Sequence, residues 1–325
     1  MKIKWNAADM SNLEGRTAVI TGASSGIGYE IALQLAAHHA HVVLASRNQG
    51  RTEQVARQIA TMLPEASIEA QVLDLANLAS IRRFAETFSQ RHQGLDILVN
   101  NAGIAGGPRR QTIDGFEMHF QVNYLGHFAL VGLLLPSLCS RAGSRVVTTS
   151  STIASQGKID FDDLQAERTY KWIRAYAQSK LANLLFAFEL DRRCQAVGGG
   201  MSSLSVHPGV ARTNLLTGKE SDWGRPRRGT EILIRVLQIV LAHPAARGAL
   251  PALYQATDPS ARSAEYIGIS EGIGGGYPVV SKVPPAALDH VTAQHLWNVS
   301  EELTGARYDL LTQATGSACS IEPLG

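Results

Sequence analysis

Tyr176 and Lys180 stand four positions apart in Tyr176-Ala177-Gln178-Ser179-Lys180, inside a helical pattern that continues through Leu181, Leu184, Leu185 and Phe188. Positions i and i+4 share a helix face, so a phenol and an ammonium project side by side. The ammonium favours phenolate and lowers the tyrosine pKa. A tyrosine tuned this way can hand its proton to a carbonyl oxygen as hydride arrives, or take it back in reverse. Taken alone, the pair reads better as two surface residues on an amphipathic helix, so its weight comes from its company. Ser150-Ser151 close a β-rich run, where a hydroxyl can face the same crevice. Thr21-Gly22-Ala23-Ser24-Ser25-Gly26-Ile27-Gly28 joins a strand pattern to a helical one. Gly22 there permits a tight turn, Gly26 lets backbone approach a pyrophosphate, and Gly28 lets helix pack on strand. The free N–H groups at the helix start then face phosphate oxygens.

The elements that must position these groups alternate along the chain. Strand patterns cover Thr17–Thr21, His41–Ala45, Ile68–Leu73, Asp96–Val99, Arg145–Thr149 and Ser202–Val206. Helical patterns lie between them: Ile27, Ile31 and Leu35; then Gln49–Met62, closed by Pro64; then Ile81, Phe84 and Phe88 behind a capping Asn77. Strands separated by helices of ~10 residues or more imply βαβ units and a parallel sheet. Continuous apolar strands imply a sheet covered on both faces. The expectation is one α/β domain spanning 1–325, a doubly wound Rossmann sheet of about seven strands with helices on both faces. Residues 1–15 are expected to be an N-terminal extension and 260–325 a C-terminal one.

In their order and spacing these motifs resemble the short-chain dehydrogenase/reductase family. The loop is T-G-x-x-x-G-x-G, and Asp74-Leu75, Asn101-Ala102-Gly103, Asn123, Ser150-Ser151, Tyr176/Lys180 and His207-Pro208-Gly209-Val210 with Thr213 follow in the family's sequence. The resemblance implies a catalytic set of Asn123, Ser151, Tyr176 and Lys180. Ser151 would orient the substrate oxygen, Lys180 would tune Tyr176 and hold the nicotinamide ribose, and Asn123 would kink its helix and hold a water that contacts the lysine. It implies a dinucleotide lying on Gly22, Ser24, Ser25, Gly26, Ile27 and Gly28. Asp74 and Leu75 would meet the adenine, Asn101, Ala102 and Gly103 would flank the cofactor, and Pro208, Gly209, Val210 and Thr213 would lie near the nicotinamide amide. His207 is expected to pack or cap. Trp5, Asp9, Asp114-Gly115-Phe116-Glu117, Leu125-Gly126-His127-Phe128, Ser179-Lys180-Leu181-Ala182-Asn183 and Leu296-Trp297-Asn298-Val299-Ser300 extend the likeness to the retinol-dehydrogenase and light-dependent protochlorophyllide-reductase branch. The implied activity is hydride transfer between nicotinamide and a carbonyl or alcohol. C=C or C=N reduction and a non-catalytic dinucleotide sensor stay open as other readings.

The dinucleotide can be narrowed from the residues. The second strand ends at Ser46-Arg47-Asn48, and no Asp or Glu occurs between Glu30 and Glu53. An acid at this place bonds the ribose 2′-hydroxyl, whereas an arginine pairs with a 2′-phosphate. NADP(H) is therefore expected over NAD(H), with Arg47 as the reader. Residues 209–229 are expected to form a lid carrying Leu215, Leu216 and Trp223 over a small hydrophobic carbonyl or alcohol substrate.

Composition bounds the rest. The chain has 325 residues, 45 % hydrophobic and 18 % charged, with net charge +2, which excludes the basic field that nucleic acid requires. No metal ligand set is expected; Asp162-Asp163 have no His or Cys near them in sequence and read as a solvated turn. Cys139, Cys194 and Cys319 form no C-x-x-C pair. The polar start of the chain and the short apolar run Phe128–Leu138, interrupted by Pro136, give neither a signal peptide nor a membrane span, so the expected location is cytoplasmic. Twenty-four residues separate Ser151 from Tyr176, about twice what many compact family members have. This insertion could cover the helix face through which family members pair, so a monomer or a dimer through another face is expected.

Overall fold

The computed structural model describes residues 3–209, 244–263, 265–270 and 276–312. Val210, Thr213, nearly all of the expected lid and Cys319 lie outside them. Strands β1 (Thr17–Thr21), β2 (His41–Ser46), β3 (Ile68–Val72), β4 (Ile97–Asn100), β5 (Ser144–Thr149), β6 (Met201–Val206), β7 (Tyr266–Ile269) and β8 (Pro278–Ser281) form one sheet in the order β3-β2-β1-β4-β5-β6-β7-β8. The first seven are parallel and β8 is antiparallel to β7. The Rossmann class is as the sequence implies, with eight strands rather than about seven. The extra one is a short edge strand beginning at Pro278, which cannot donate to a ladder and so suits a sheet edge.

Alternation along each strand divides the core. Val19, Leu98 and Val146 face one layer, and Ala18, Ile20, Val99 and Val147 face the other, all wholly buried. The first layer is covered by α3 (Leu78–Arg91), α4 (Met118–Cys139), α5 (Trp172–Ala196) and α7 (His290–Thr304). The second is covered by α1 (Gly26–Ala37), α2 (Gln49–Met62) and α6 (Ala245–Thr257). Three helix starts carry side-chain caps: Asn48 accepts from Arg51 N, Asn77 from Ser80 N, and Asp289 from Val291 N and Thr292 N.

Helix α4 is long and apolar enough to cross a membrane by length and composition, yet most of it is buried within the fold. Pro136 is accommodated inside it. Its residues Gln121–Leu125 make a π-turn. A π-turn inserts one residue into the helical register and commonly marks a functional site.

Both expected extensions are built into the domain. Trp5 is buried edge-on against Tyr254 of α6, 5.7 Å between ring centres. The C-terminal stretch supplies β7, β8 and α7. Trp297 of α7 packs with Phe128 of α4, Phe186 of α5 and Tyr308 at 5.2, 5.8 and 4.4 Å, and the Tyr308 hydroxyl donates to the Phe128 carbonyl at 2.6 Å. Truncating one such aromatic typically costs ~3–5 kcal/mol, so α7 is fixed firmly over the outer faces of α4 and α5.

Candidate active site

The strand order reverses at β1, with β2 on one side and β4 on the other. Ligands of open α/β sheets bind at the carboxyl ends of the strands at such a point. Gly22 has φ +69°, and a Cβ there would lie 2.9 Å from Ala102 Cα. A Cβ on Gly28 would lie 2.5 Å from the Gly22 carbonyl oxygen and 2.6 Å from Asn101 Nδ2. Both glycines are thus required by close packing between the loop and the Asn101-Ala102-Gly103 turn. Gly26 also takes a positive φ. Ser25 precedes α1 without capping it through its side chain, which leaves first-turn N–H groups, that of Ile27 among them, available to phosphate. A cleft of ≈ 540 Å³ opens here, lined by Ser24, Ser25, Gly26, Tyr29 and Arg51 among others. The residues present fit a bound dinucleotide.

Thr21 ties this loop to β4. Its Oγ1 accepts from Asn101 N and Ala102 N, both at 2.9 Å, and its carbonyl accepts from Asn101 Nδ2 at 2.9 Å. His127 Nδ1 is 3.0 Å from the Asn123 carbonyl, which can only accept, so Nδ1 carries the proton. Nε2 then accepts from Thr21 Oγ1 at 3.0 Å. Burial, assisted by the Lys180 charge, pushes His127 down to about 4, consistent with a neutral ring.

Asn123 sits in the π-turn, wholly buried. Its Oδ1 accepts from Ile104 N at 2.7 Å, and its Nδ2 donates to the Ile104 carbonyl at 3.0 Å and to Ser179 Oγ at 2.9 Å. Ser179 in turn donates to the Tyr176 carbonyl at 2.8 Å. A π-turn stands where the kink is expected, and the Asn123 side chain clamps the segment after β4 to α5. A Cβ on Gly103 would lie 3.2 Å from Asn123 Oδ1 and 3.4 Å from Lys180 Nζ, so the cofactor-side turn, the asparagine and the lysine converge.

Lys180 is buried, donates to the Thr149 carbonyl at 3.2 Å, and holds its Nζ 5.8 Å from the Tyr176 ring centre. Burial pushes it down to about 8. Tyr176 is raised above its ordinary value by burial, while a hydrogen bond with Ser151 pulls the other way. This corrects the expectation of a lowered phenol: desolvation sets the direction, and the opposing pull comes from Ser151. The adjacent hydroxyls divide their work. Ser150 Oγ donates to the Lys180 carbonyl at 2.7 Å, fixing α5 to the end of β5, whereas Ser151 faces Tyr176.

Other expected residues have local duties. Asp74 Oδ1 accepts from Ala76 N at 2.9 Å, and buried Leu75 backs onto Gly126. His207 Nδ1 accepts from Gly209 N at 3.2 Å just after Pro208, and its Nε2 meets Ser281 Oγ at 2.8 Å; burial pushes it down to about 4, so it caps and packs. Asp163 accepts from the N–H groups of Glu167 and Arg168, the turn that was expected. Arg47 lies exposed one residue past β2.

Four residues near the site were given no role of their own by the sequence, although Glu117 and Ser179 lie within motifs that carry the resemblance. Arg51 reaches from α2 to donate from Nε to the Ser24 carbonyl at 3.3 Å, placing a second guanidinium at the glycine loop; its spacing four residues after Arg47 is the only hint. Ser179 bridges Asn123 to α5. Buried Glu117 and His119 pair at 2.9 Å, and the His119 ring stands 6.3 Å from that of Tyr176.

The short chain dehydrogenase family model matches residues 16–223. Retinol dehydrogenase 12 of Homo sapiens is 40 % identical over 302 residues, which cover 91 % of this chain and 89 % of that protein. A crystal structure of an uncharacterised protein from Mycobacterium paratuberculosis superposes with a TM-score of 0.75 at 37 % identity, covering 93 % of this chain and 98 % of that one. A short chain dehydrogenase of Escherichia coli CFT073 complexed with NADPH superposes with a TM-score of 0.58 at 26 % identity, over 77 % of this chain and 94 % of that one.

If Tyr176 delivers the proton and an ammonium at Lys180 supports it, a defined pH response is expected. Lys180 is charged below about 8 and neutral above it, while raised Tyr176 stays protonated throughout that range. The kcat/KM for reduction should therefore be level near neutrality and fall as pH rises through about 8. A profile flat to pH ~10, near the ordinary lysine pKa, would contradict a role for the charge.

Proposed function

The chain belongs to the short chain dehydrogenase family and is an NAD(P)-dependent oxidoreductase, and on that premise we propose which dinucleotide, bond and proton donor it uses. It takes NADP(H) and moves hydride between the nicotinamide and the carbonyl or alcohol carbon of a hydrophobic small molecule. The observation that carries this reading is the convergence of Ser151, Tyr176 and Lys180 at the carboxyl end of β5, beside Gly103 of the cofactor-side turn. When bound, the nicotinamide supplies or receives the hydride. Ser151 holds the substrate oxygen, and Tyr176 gives its phenolic proton to that oxygen as negative charge develops. Lys180 stabilises the resulting phenolate and holds the ribose, and Asn123 keeps α5 in register with the turn after β4. No metal enters the proton chemistry.

NADP(H) is favoured by two guanidinium groups. Arg47 follows β2 with no acid beside it, and Arg51 abuts the glycine loop. Together they offer charge to a 2′-phosphate that Ser24 and Ser25 cannot. The likeness to a retinol dehydrogenase supports a hydrophobic alcohol or aldehyde as substrate. Helix α7 lies across α4 and α5, so the assembly is a monomer or a dimer through another face. A reducing, cytoplasmic location is proposed from the thiol form of Cys139 and Cys194.

Tyr176→Phe should lower turnover by ~10²–10⁴-fold, the usual worth of general acid catalysis, while NADPH affinity, read by fluorescence titration, stays within a few-fold. Retention of most of the activity would refute the assigned acid. The wild-type protein should have the higher kcat/KM with NADPH than with NADH. Arg47→Asp combined with Arg51→Gln should lower the NADPH value by about 10–100-fold, as loss of charged hydrogen bonds implies. Equal use of NADH by the wild type, or no change on substitution, would remove both arginines from cofactor choice.

A further inference from the structure

At the opposite end of the sheet from the active site, three side chains from distant parts of the sequence meet. His41 is the first residue of β2, Glu69 lies in β3, and His92 caps the C-terminus of α3. One potential ligand atom from each of the three lies within 4.8 Å of the others, and each residue is partly buried. His92 Nε2 is 3.0 Å from Glu69 Oε1, and the two imidazoles are 5.1 Å apart between centres.

The polar bookkeeping of this cluster is incomplete. His41 Nδ1 is bonded to Ser67 Oγ at 2.7 Å, but His41 Nε2 is buried and has no hydrogen-bond partner among the described residues. A buried polar atom left unpaired costs about 1–3 kcal/mol. The Ser67 contact provides what a ligating imidazole needs: an acceptor for Nδ1–H, which leaves the Nε2 lone pair free and the ring oriented. The His92 ring is held against buried Phe88, 4.5 Å between centres. Arg91 approaches the other carboxylate oxygen of Glu69, Oε2, at 4.0 Å, leaving Oε1 to the cluster.

We propose that His41 Nε2, His92 Nε2 and Glu69 Oε1 bind one divalent cation of the zinc type, with water completing its coordination. Two imidazoles and one carboxylate are a borderline donor set that suits zinc and its neighbours, not magnesium or calcium. Tetrahedral bonds of about 2.0–2.1 Å place ligand atoms roughly 3.3–3.4 Å apart. The His92–Glu69 pair is nearly there already, and the widest pair must close by at most about 1.5 Å from 4.8 Å. The ion displaces the proton shared by His92 and Glu69 and satisfies His41 Nε2. Because β3 is the edge strand, the ion would pin it to β2 and to the end of α3. Its role is to hold that edge, remote from the hydride-transfer site.

The test uses untagged full-length protein, stripped with chelator, desalted and titrated with zinc. Calorimetry and elemental analysis should show one equivalent bound, with a zinc-dependent rise in thermal midpoint. Glu69→Gln and His92→Gln should each weaken binding by more than ~10-fold, and Ser67→Ala by ~10-fold or more. His290→Gln, an exposed histidine elsewhere, should change nothing. Cobalt in place of zinc should give the intense visible bands of a four-coordinate ion, a readout on the wild type that survives if a variant misfolds. No saturable equivalent, binding undiminished in both ligand variants, or the faint spectrum of six-coordinate cobalt would each overturn the site.

Discussion

One buried amide holds the two halves of the active site in register. Asn123 has no solvent to satisfy it, so both ends of its side chain must find partners within the protein. They find the Ile104 backbone, just beyond the Asn101-Ala102-Gly103 turn, and Ser179, one residue before Lys180. The π-turn makes this geometry available by breaking the helical register at that residue. Its freed carbonyl is taken by His127, whose other nitrogen meets Thr21 at the glycine loop. The cofactor loop, the turn after β4 and the helix bearing Tyr176 and Lys180 are therefore linked by a continuous run of buried hydrogen bonds. Such networks are stiff when complete and costly when broken.

The same burial sets the electrostatics. Lys180 is enclosed and donates to the Thr149 carbonyl, and burial draws its pKa towards neutrality. Tyr176 moves the other way, as a desolvated phenol must. A phenol that stays protonated beside an ammonium that stays charged suits proton donation at neutral pH. Ser150 holds Lys180's backbone to β5 while Ser151 is left to face the phenol. The two serines of the pair thus have different partners: the Lys180 carbonyl for Ser150 and the Tyr176 phenol for Ser151.

Much of the fold was legible because local signals and tertiary context agree. The first six strands are read to within a residue or so of their ends, since each lies between helical or turn patterns, and the first two are apolar runs. The phenol, ammonium and glycine loop are legible in spacing and context, and Ser151 is implied by the family resemblance. Strand β8 was missed because four residues starting at a proline carry no periodic signal. The role of Arg51 depends on where α2 starts relative to the glycine loop, and that of Ser179 on a helix crossing. The placement of α7 over α4 and α5 rests on aromatic contacts between residues far apart in the chain. His41, Glu69 and His92 are unremarkable in sequence and meet only because β2 and β3 pair in parallel. The direction of the Tyr176 shift was misjudged for a related reason: spacing reveals a neighbouring charge but not the depth of burial that opposes it.

The central claim is that hydride goes to the carbon of a C=O bond whose oxygen Ser151 and Tyr176 hold. Transfer of label from NADPH deuterated at nicotinamide C4 tests it directly, with all-trans-retinal and a long-chain aldehyde as probes and the product read by NMR and mass spectrometry. The account predicts one deuterium per product molecule, on the new carbinol carbon, with every C=C bond retained. Deuterium on a former C=C carbon, with the aldehyde intact, would contradict it.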